Sequence, residues 1–79
     1  MRLPRDISST ELIKLLQKLG YQISRQKGSH IRLTTTQQGE HHVTIPNHNP
    51  IRLGTLSSII SDIATHFKKT KEEIAGEIF

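Results

Sequence analysis

The fold can be built outward from the segment Lys27-Gly28-Ser29-His30-Ile31-Arg32-Leu33. A glycine turn is followed there by strict alternation of polar and apolar residues, which is typical of a strand with one buried face. Because Ile31 and Leu33 take the buried face, His30 and Arg32 are predicted to share the exposed one. An imidazole beside a guanidinium on an exposed surface suits a phosphate group.

Strand patterns lie on both sides of this segment. Residues 21–26 alternate before it, and Tyr21 and Ile23 are predicted to point into the core. After it, a turn at residues 37–40 leads into a third strand, residues 41–45. The sequence therefore predicts a meander of three short strands.

The third strand carries its apolar residues, Val43 and Ile45, two positions apart. Antiparallel pairing with the second strand places His42 and Thr44 on the exposed face together with His30.

Helical patterns flank the strands. Ser8 to Glu11 forms a capping box, and apolar residues at spacings of three and four continue until Gly20, which predicts a first helix ending there. A second helix is predicted to start at Gly54 with Thr55 as its N-cap. No acidic residue lies in the first turn of this helix, so its free amides are an alternative phosphate site.

A short third helix is predicted after a second capping box, Thr70 to Glu73. Its apolar residues Ile74, Ile78 and Phe79 are interpreted as a face that serves a partner.

This order predicts an α+β fold: one domain over residues 1–79, with a three-stranded antiparallel sheet covered by helices on one face. The chain has no cysteine, which excludes disulfides and thiolate metal sites. Nothing resembles a signal peptide or a membrane-spanning helix, so a cytoplasmic location without membrane contact is expected.

The positive charge is concentrated in the middle of the sequence. The formal net charge is +4, and between residues 12 and 61 six basic residues face Glu40 alone. A basic middle in a small domain favours a polyanionic partner, most often a nucleic acid.

The five histidines do not form a convincing metal motif. His41 and His42 are adjacent in a strand and point to opposite faces, and His48 has few acidic neighbours to complete a ligand set. Ser29 precedes His30 directly, and no carboxylate is placed to orient that histidine as in a hydrolase triad. No metal and no cofactor are predicted.

RNA cleavage or RNA binding remain as functions. RNA carries its own nucleophile, the 2′-hydroxyl, so cleavage requires a base, cations that stabilise the phosphorane, and an acid for the leaving oxygen. His30 with Arg25, Lys27 and Arg32 can supply most of these groups. Aromatic side chains on which bases stack are nearly missing, which favours recognition of backbone and shape.

Four segments together resemble the HicA family of toxins, small RNA-cleaving partners of HicB antitoxins. They are Leu19-Gly20-Tyr21, Lys27-Gly28-Ser29-His30, Ile45-Pro46-x-His48 and Gly54-Thr55-Leu56-x-x-Ile59-Ile60. The resemblance covers nearly the whole length, and the order and spacing of the segments are specific.

The resemblance implies a fold similar to double-stranded RNA-binding domains, an mRNA substrate and a HicB-like antitoxin partner. It implies that His30 is catalytic. The RNA-binding residues are then predicted to be Arg25, Lys27, Gly28, Ser29, Arg32 and His48.

Three matters stay open from the sequence. The general acid is either His48 or His42. A non-catalytic RNA- or DNA-binding domain of the same fold is an alternative function. A structural domain that binds only a protein partner is a third.

Overall fold

The computed structural model describes residues 2–79, and its elements follow the predicted order. They are α1 (Ser9–Leu16), a 3₁₀ turn (Gln17–Leu19), β1 (Gln22–Lys27), β2 (His30–Thr35), β3 (His41–Pro46), α2 (Leu53–Phe67) and α3 (Lys71–Ile78). The strands form one antiparallel sheet in the order β1-β2-β3. The α+β fold resembling double-stranded RNA-binding domains is thus confirmed.

The core lies between one face of the sheet and the helices. Ile31 and Leu33 of β2 and Val43 and Ile45 of β3 are buried, as their alternation predicted. They pack in one cluster with the apolar side chains of all three helices. The opposite face of the sheet is open to solvent.

Both capping boxes are present. The Ser8 hydroxyl accepts the amide of Glu11, whose carboxylate accepts the amide of Ser8 in return. Thr70 and Glu73 repeat the arrangement at α3. Hydrogen bonding of the Glu73 carboxyl to Thr70, first to its backbone amide and then to its side chain, lowers the pKa of that carboxyl. Since a capping box involves only residues three positions apart, it can be recognised from sequence alone.

The prediction that Ile23 is buried is wrong. Ile23 lies opposite Leu33 on the core side of the sheet, yet it is 54% exposed. β1 is an edge strand, and all six of its residues are exposed. Tyr21, just before the strand, is buried as predicted.

The predicted start of α2 is also wrong. The helix begins at Leu53, two residues before Thr55, and its N-cap is Arg52, whose side chain makes no capping hydrogen bond. The carbonyl of Arg52 accepts the first helical bond, from the amide of Leu56. The path of the preceding loop therefore sets the boundary, and Thr55 lies inside the first turn.

The apolar face of α3 is not a free partner surface. Ile74 and Ile78 are completely buried in the protein's own core. Phe79 alone of the three predicted residues is exposed, at 42%. Within residues 2–79, no helix has the length and apolar character needed to cross a membrane.

Candidate nucleic-acid interface

A two-residue turn positions His30 at the start of β2. Lys27 and His30 form the last pair of the β1–β2 hairpin, and Gly28 and Ser29 connect them. Gly28 has φ +58°, the left-handed region that glycine adopts at the first central position of type II′ turns. His30 consequently lies directly opposite Lys27, with both side chains on the exposed face.

A β-bulge turns the Arg25 side chain to the same exposed face of the sheet. The pairing of β1 with β2 shifts between Ile23 and Arg25, so Arg25 lies opposite Arg32. Without this extra residue, strict alternation would place Arg25 on the core side with Ile23. The Ser24 hydroxyl stabilises the bulge by donating to the carbonyl of Arg32 at 3.3 Å.

These residues line a shallow depression of about 210 Å³ on the outer face of the sheet. Its lining residues are Arg25, Lys27, His30, Arg32 and Thr44. We call this the sheet depression. The structure thus brings together four of the seven predicted site residues. Thr44 was not among those seven, although the alternation of β3 had placed it on this face.

No carboxylate lines the sheet depression, and within residues 2–79 none of its cations has a carboxylate partner within 4.0 Å. A site with this lining attracts anions and repels divalent cations. Its chemistry fits the phosphodiester backbone of a nucleic acid.

His48 lies in a second depression, of about 390 Å³, beside the first. Its lining residues are Pro46, His48, Asn49, Pro50, Arg52 and Thr55. We call this the loop depression. The Asn47 amide donates to the Ser29 carbonyl at 2.7 Å, which joins the loop to the turn preceding His30. Pro46 pairs directly with His30.

Of the remaining predicted residues, Gly28 and Ser29 form the turn and line neither depression. Arg52 was missed as a candidate because its neighbours in the sequence predicted only a loop. Its position in the loop depression results from the path of residues 47–52.

His42 is on the exposed face, as the predicted register requires, but it is far from His30. It lies opposite Thr34, four residues along β2, or about 13 Å at the rise of a strand. Its Nε2 is 2.8 Å from the Glu40 carboxylate and its Nδ1 is 2.7 Å from the Thr34 hydroxyl. This geometry favours His48 over His42 as a second histidine near His30.

A separate aromatic cluster joins β3 to α2. His41 Nδ1 is 2.7 Å from the Tyr21 hydroxyl, and His41 Nε2 is 3.5 Å from the Asp62 carboxylate. His41 and His66 are stacked, with ring centroids 4.4 Å apart. Burial, and then the charge of Asp62, raise the pKa of Tyr21. The cluster is satisfied internally and lies away from His30.

No group of three His, Asp or Glu side chains that could hold a metal ion occurs within residues 2–79. His41 and His42 point to opposite faces, one toward Tyr21 and the other toward Thr34.

The family described as "HicA toxin of bacterial toxin-antitoxin" matches residues 9–64, well over half of the chain. The chain belongs to the HicA toxin family. Comparison with curated proteins and with solved structures gives no match.

The part of this HicA toxin that matches the family runs from the start of α1 to Ala64 in α2. It contains the sheet depression and the loop depression. The segment before α1, which carries Arg2 and Arg5, lies outside the match.

Proposed function

We propose that this HicA toxin is a metal-independent RNA endonuclease, an mRNA interferase, in which His30 acts on the 2′-hydroxyl of its substrate. The observation that carries the proposal is the sheet depression, where His30 is surrounded by Arg25, Lys27 and Arg32 and no carboxylate is present. When an RNA phosphodiester is bound among these cations, the 2′-hydroxyl of the adjoining ribose lies on the same small surface as the imidazole.

In the proposed reaction His30 takes the proton from the 2′-hydroxyl, whose oxygen attacks the adjacent phosphorus. The bond from phosphorus to the 5′-oxygen breaks, and that oxygen receives a proton from the general acid. The cations stabilise the extra negative charge of the phosphorane. The products carry a 2′,3′-cyclic phosphate and a 5′-hydroxyl.

Several observations support the assignment of roles. The His30 side chain is exposed and has no hydrogen-bond partner within residues 2–79, so both ring nitrogens are accessible to a substrate. His48, across the Ser29–Asn47 hydrogen bond, is the proposed general acid or phosphate ligand. Magnesium prefers carboxylate ligands, and the lining of the sheet depression offers none.

We expect a HicB-like antitoxin to inhibit this toxin. The antitoxin is proposed to cover the sheet depression with acidic side chains of its own, because the toxin surface there is cationic.

Cleavage of a labelled RNA in EDTA tests the mechanism. We expect wild type to cut without a divalent ion and His30→Ala to cut about 10²–10⁴-fold more slowly, as loss of a general acid–base group typically produces. RNA affinity should stay nearly intact because the cations remain. Since His30 is exposed, its removal should change the free energy of unfolding by only about ±0.5 kcal/mol.

Lys14→Gln, on the exposed surface of α1, is the control and should cut normally. Activity that disappears in EDTA and returns with Mg²⁺ would contradict metal independence, and 5′-phosphate ends would indicate attack by water. Normal cutting by His30→Ala removes this residue from the mechanism. Full-length RNA that binds wild type but persists indefinitely would favour a binding domain.

A further inference from the structure

A second group of arginines comes from the segment before α1 and from the loop before α2. Arg2 and Arg5, from the segment before α1, line a depression of about 530 Å³ with Leu3 and Leu53. Arg52, adjacent to Leu53 in sequence, lines the loop depression. All three arginines are exposed. We call Arg2, Arg5 and Arg52 the arginine group.

Contacts within the protein hold this segment against the loop. The Ile51 amide donates to the Ile7 carbonyl at 2.9 Å, and both side chains are buried. The Ser9 hydroxyl and amide bind the side-chain oxygens of Asn47 and Asn49 at 2.8 and 3.2 Å. Arg5 is therefore two residues from an anchored position, and its place beside Leu53 is set by the fold.

The arginine group continues the cationic surface that contains His30. Pro46 pairs with His30 at the edge of the sheet depression, and His48 and Arg52 follow in the loop depression. The depression that holds Arg2 and Arg5 includes Leu53, which directly follows Arg52 in the sequence. We call this succession of depressions, from the outer face of the sheet through the loop to the segment before α1, the path.

None of these arginines has a carboxylate within 4.0 Å in the described part of the chain. Asp6, the acidic residue nearest in sequence, lines neither depression. Elsewhere a lysine is neutralised, since Lys69 pairs with Glu77 at 2.9 Å. The charge along the path is therefore available to an anionic ligand.

We propose that an RNA strand bound at His30 continues over the loop depression and that the arginine group contacts its phosphates. This inference rests on the proposed function, and it assigns to Arg2, Arg5 and Arg52 a role in holding the substrate outside the reacting phosphodiester. Guanidinium groups bind phosphate through paired hydrogen bonds. Because no Phe, Tyr or Trp side chain lines the path, we expect contacts to the backbone that are independent of sequence.

The test measures RNA binding over a range of salt concentrations, with His30→Ala present in every protein so that the RNA stays intact. Arg5→Gln/Arg52→Gln is compared with Lys14→Gln/Lys68→Gln, which removes the same charge from two exposed lysines outside the path. The RNAs are oligonucleotides of about 4 and about 12 nucleotides, the range of known single-strand sites.

We expect Arg5→Gln/Arg52→Gln to weaken binding of the long RNA by roughly fivefold per lost contact at 0.1 M salt. The slope of log K against log salt should fall by about 0.7 per contact. Binding of the short RNA and all binding by the lysine control should be nearly unchanged. Arg5→Lys/Arg52→Lys keeps both charges and should restore the slope.

Equal losses for the arginine and lysine variants, or equal losses for long and short RNA, would overturn the inference. Unchanged RNA binding together with loss of a protein partner would assign the arginine group to that partner instead. Cleavage of the short RNA by the protein with His30 intact is measured separately. Its absence is a failure of the proposed function, whereas normal cleavage with an unchanged slope is a failure of this inference alone.

Discussion

At the scale of single residues, Tyr21 links stability to pH. Its side chain is fully buried, and its hydroxyl is 2.7 Å from His41. Because burial raises the pKa of Tyr21 in the folded protein above its ordinary value of 10.0, the unfolded chain loses this proton first as pH rises. The contribution of the protonated Tyr21 to the free energy of unfolding is therefore fully present below pH 10.0 and is lost as the pH increases above that value.

At neutral pH, Tyr21→Phe should lower the free energy of unfolding by about 0.5–1.5 kcal/mol, because one hydrogen bond is lost. The variant should therefore unfold at a lower urea concentration than wild type. The difference should shrink at pH about 11, since only wild type has this proton to lose. Tyr21 is the single tyrosine of the chain, so no other phenol contributes. Parallel pH profiles for the two proteins would show that Tyr21 does not titrate as proposed.

Residue positions were predictable where the pattern was local. The exposed placement of His30, Arg32 and Thr44 followed from alternation in β2 and β3, and the structure confirms it. The contact between Tyr21 and His41 was not predictable, because it depends on how a loop residue docks beside β3. Arg52 likewise joined the candidate surface only through the path of its loop.

At the scale of elements, two glycines end segments for different reasons. Gly20 follows α1 and its 3₁₀ turn with φ +83°, and a Cβ there would lie 2.8 Å from the Thr35 hydroxyl and 2.7 Å from the Gln37 side chain. That hydroxyl cannot easily move, since it donates to the Leu19 carbonyl at 2.8 Å. Gly28, with φ +58°, has open space around it.

Gly28→Ala should therefore cost about 1–2 kcal/mol, from backbone conformation alone. Gly20→Ala should cost about 1–3 kcal/mol more, because overpacking is added to the same conformational strain. Urea unfolding of both variants beside wild type measures the difference. If Gly28→Ala is the more destabilised of the two, close contacts do not explain why glycine occupies position 20.

The elements were predictable to the extent that their signals were short-range. Capping boxes and apolar stripes identified all three helices, and alternation identified β2 and β3. The bulge that turns Arg25 outward is defined by pairing with β2, so the sequence of β1 alone did not reveal it. The docking of Ile74 and Ile78 on the core is tertiary, and an apolar stripe cannot tell internal packing from a partner surface.

At the scale of the whole molecule, the outer face of the sheet is cationic around His30. The molecule measures 30 × 27 × 17 Å, and the outer face of its sheet carries Arg25, Lys27 and Arg32 without a carboxylate in the sheet depression. Three of the seven acidic residues, Glu72, Glu73 and Glu77, belong to α3. An RNA and an acidic antitoxin would therefore compete for the same side.

This competition can be tested with the HicB-type antitoxin that accompanies this toxin. Arg25→Glu/Arg32→Glu should lose both RNA binding and antitoxin binding, because like charges then face each other across both interfaces. Lys14→Glu/Lys68→Glu changes the net charge equally, away from the sheet, and should keep both.

His30→Ala should keep antitoxin binding while losing cleavage. Calorimetric titration at two salt concentrations measures each affinity. If Arg25→Glu/Arg32→Glu still binds the antitoxin but not RNA, the antitoxin binds another surface, such as the exposed Ile23 at the edge of β1.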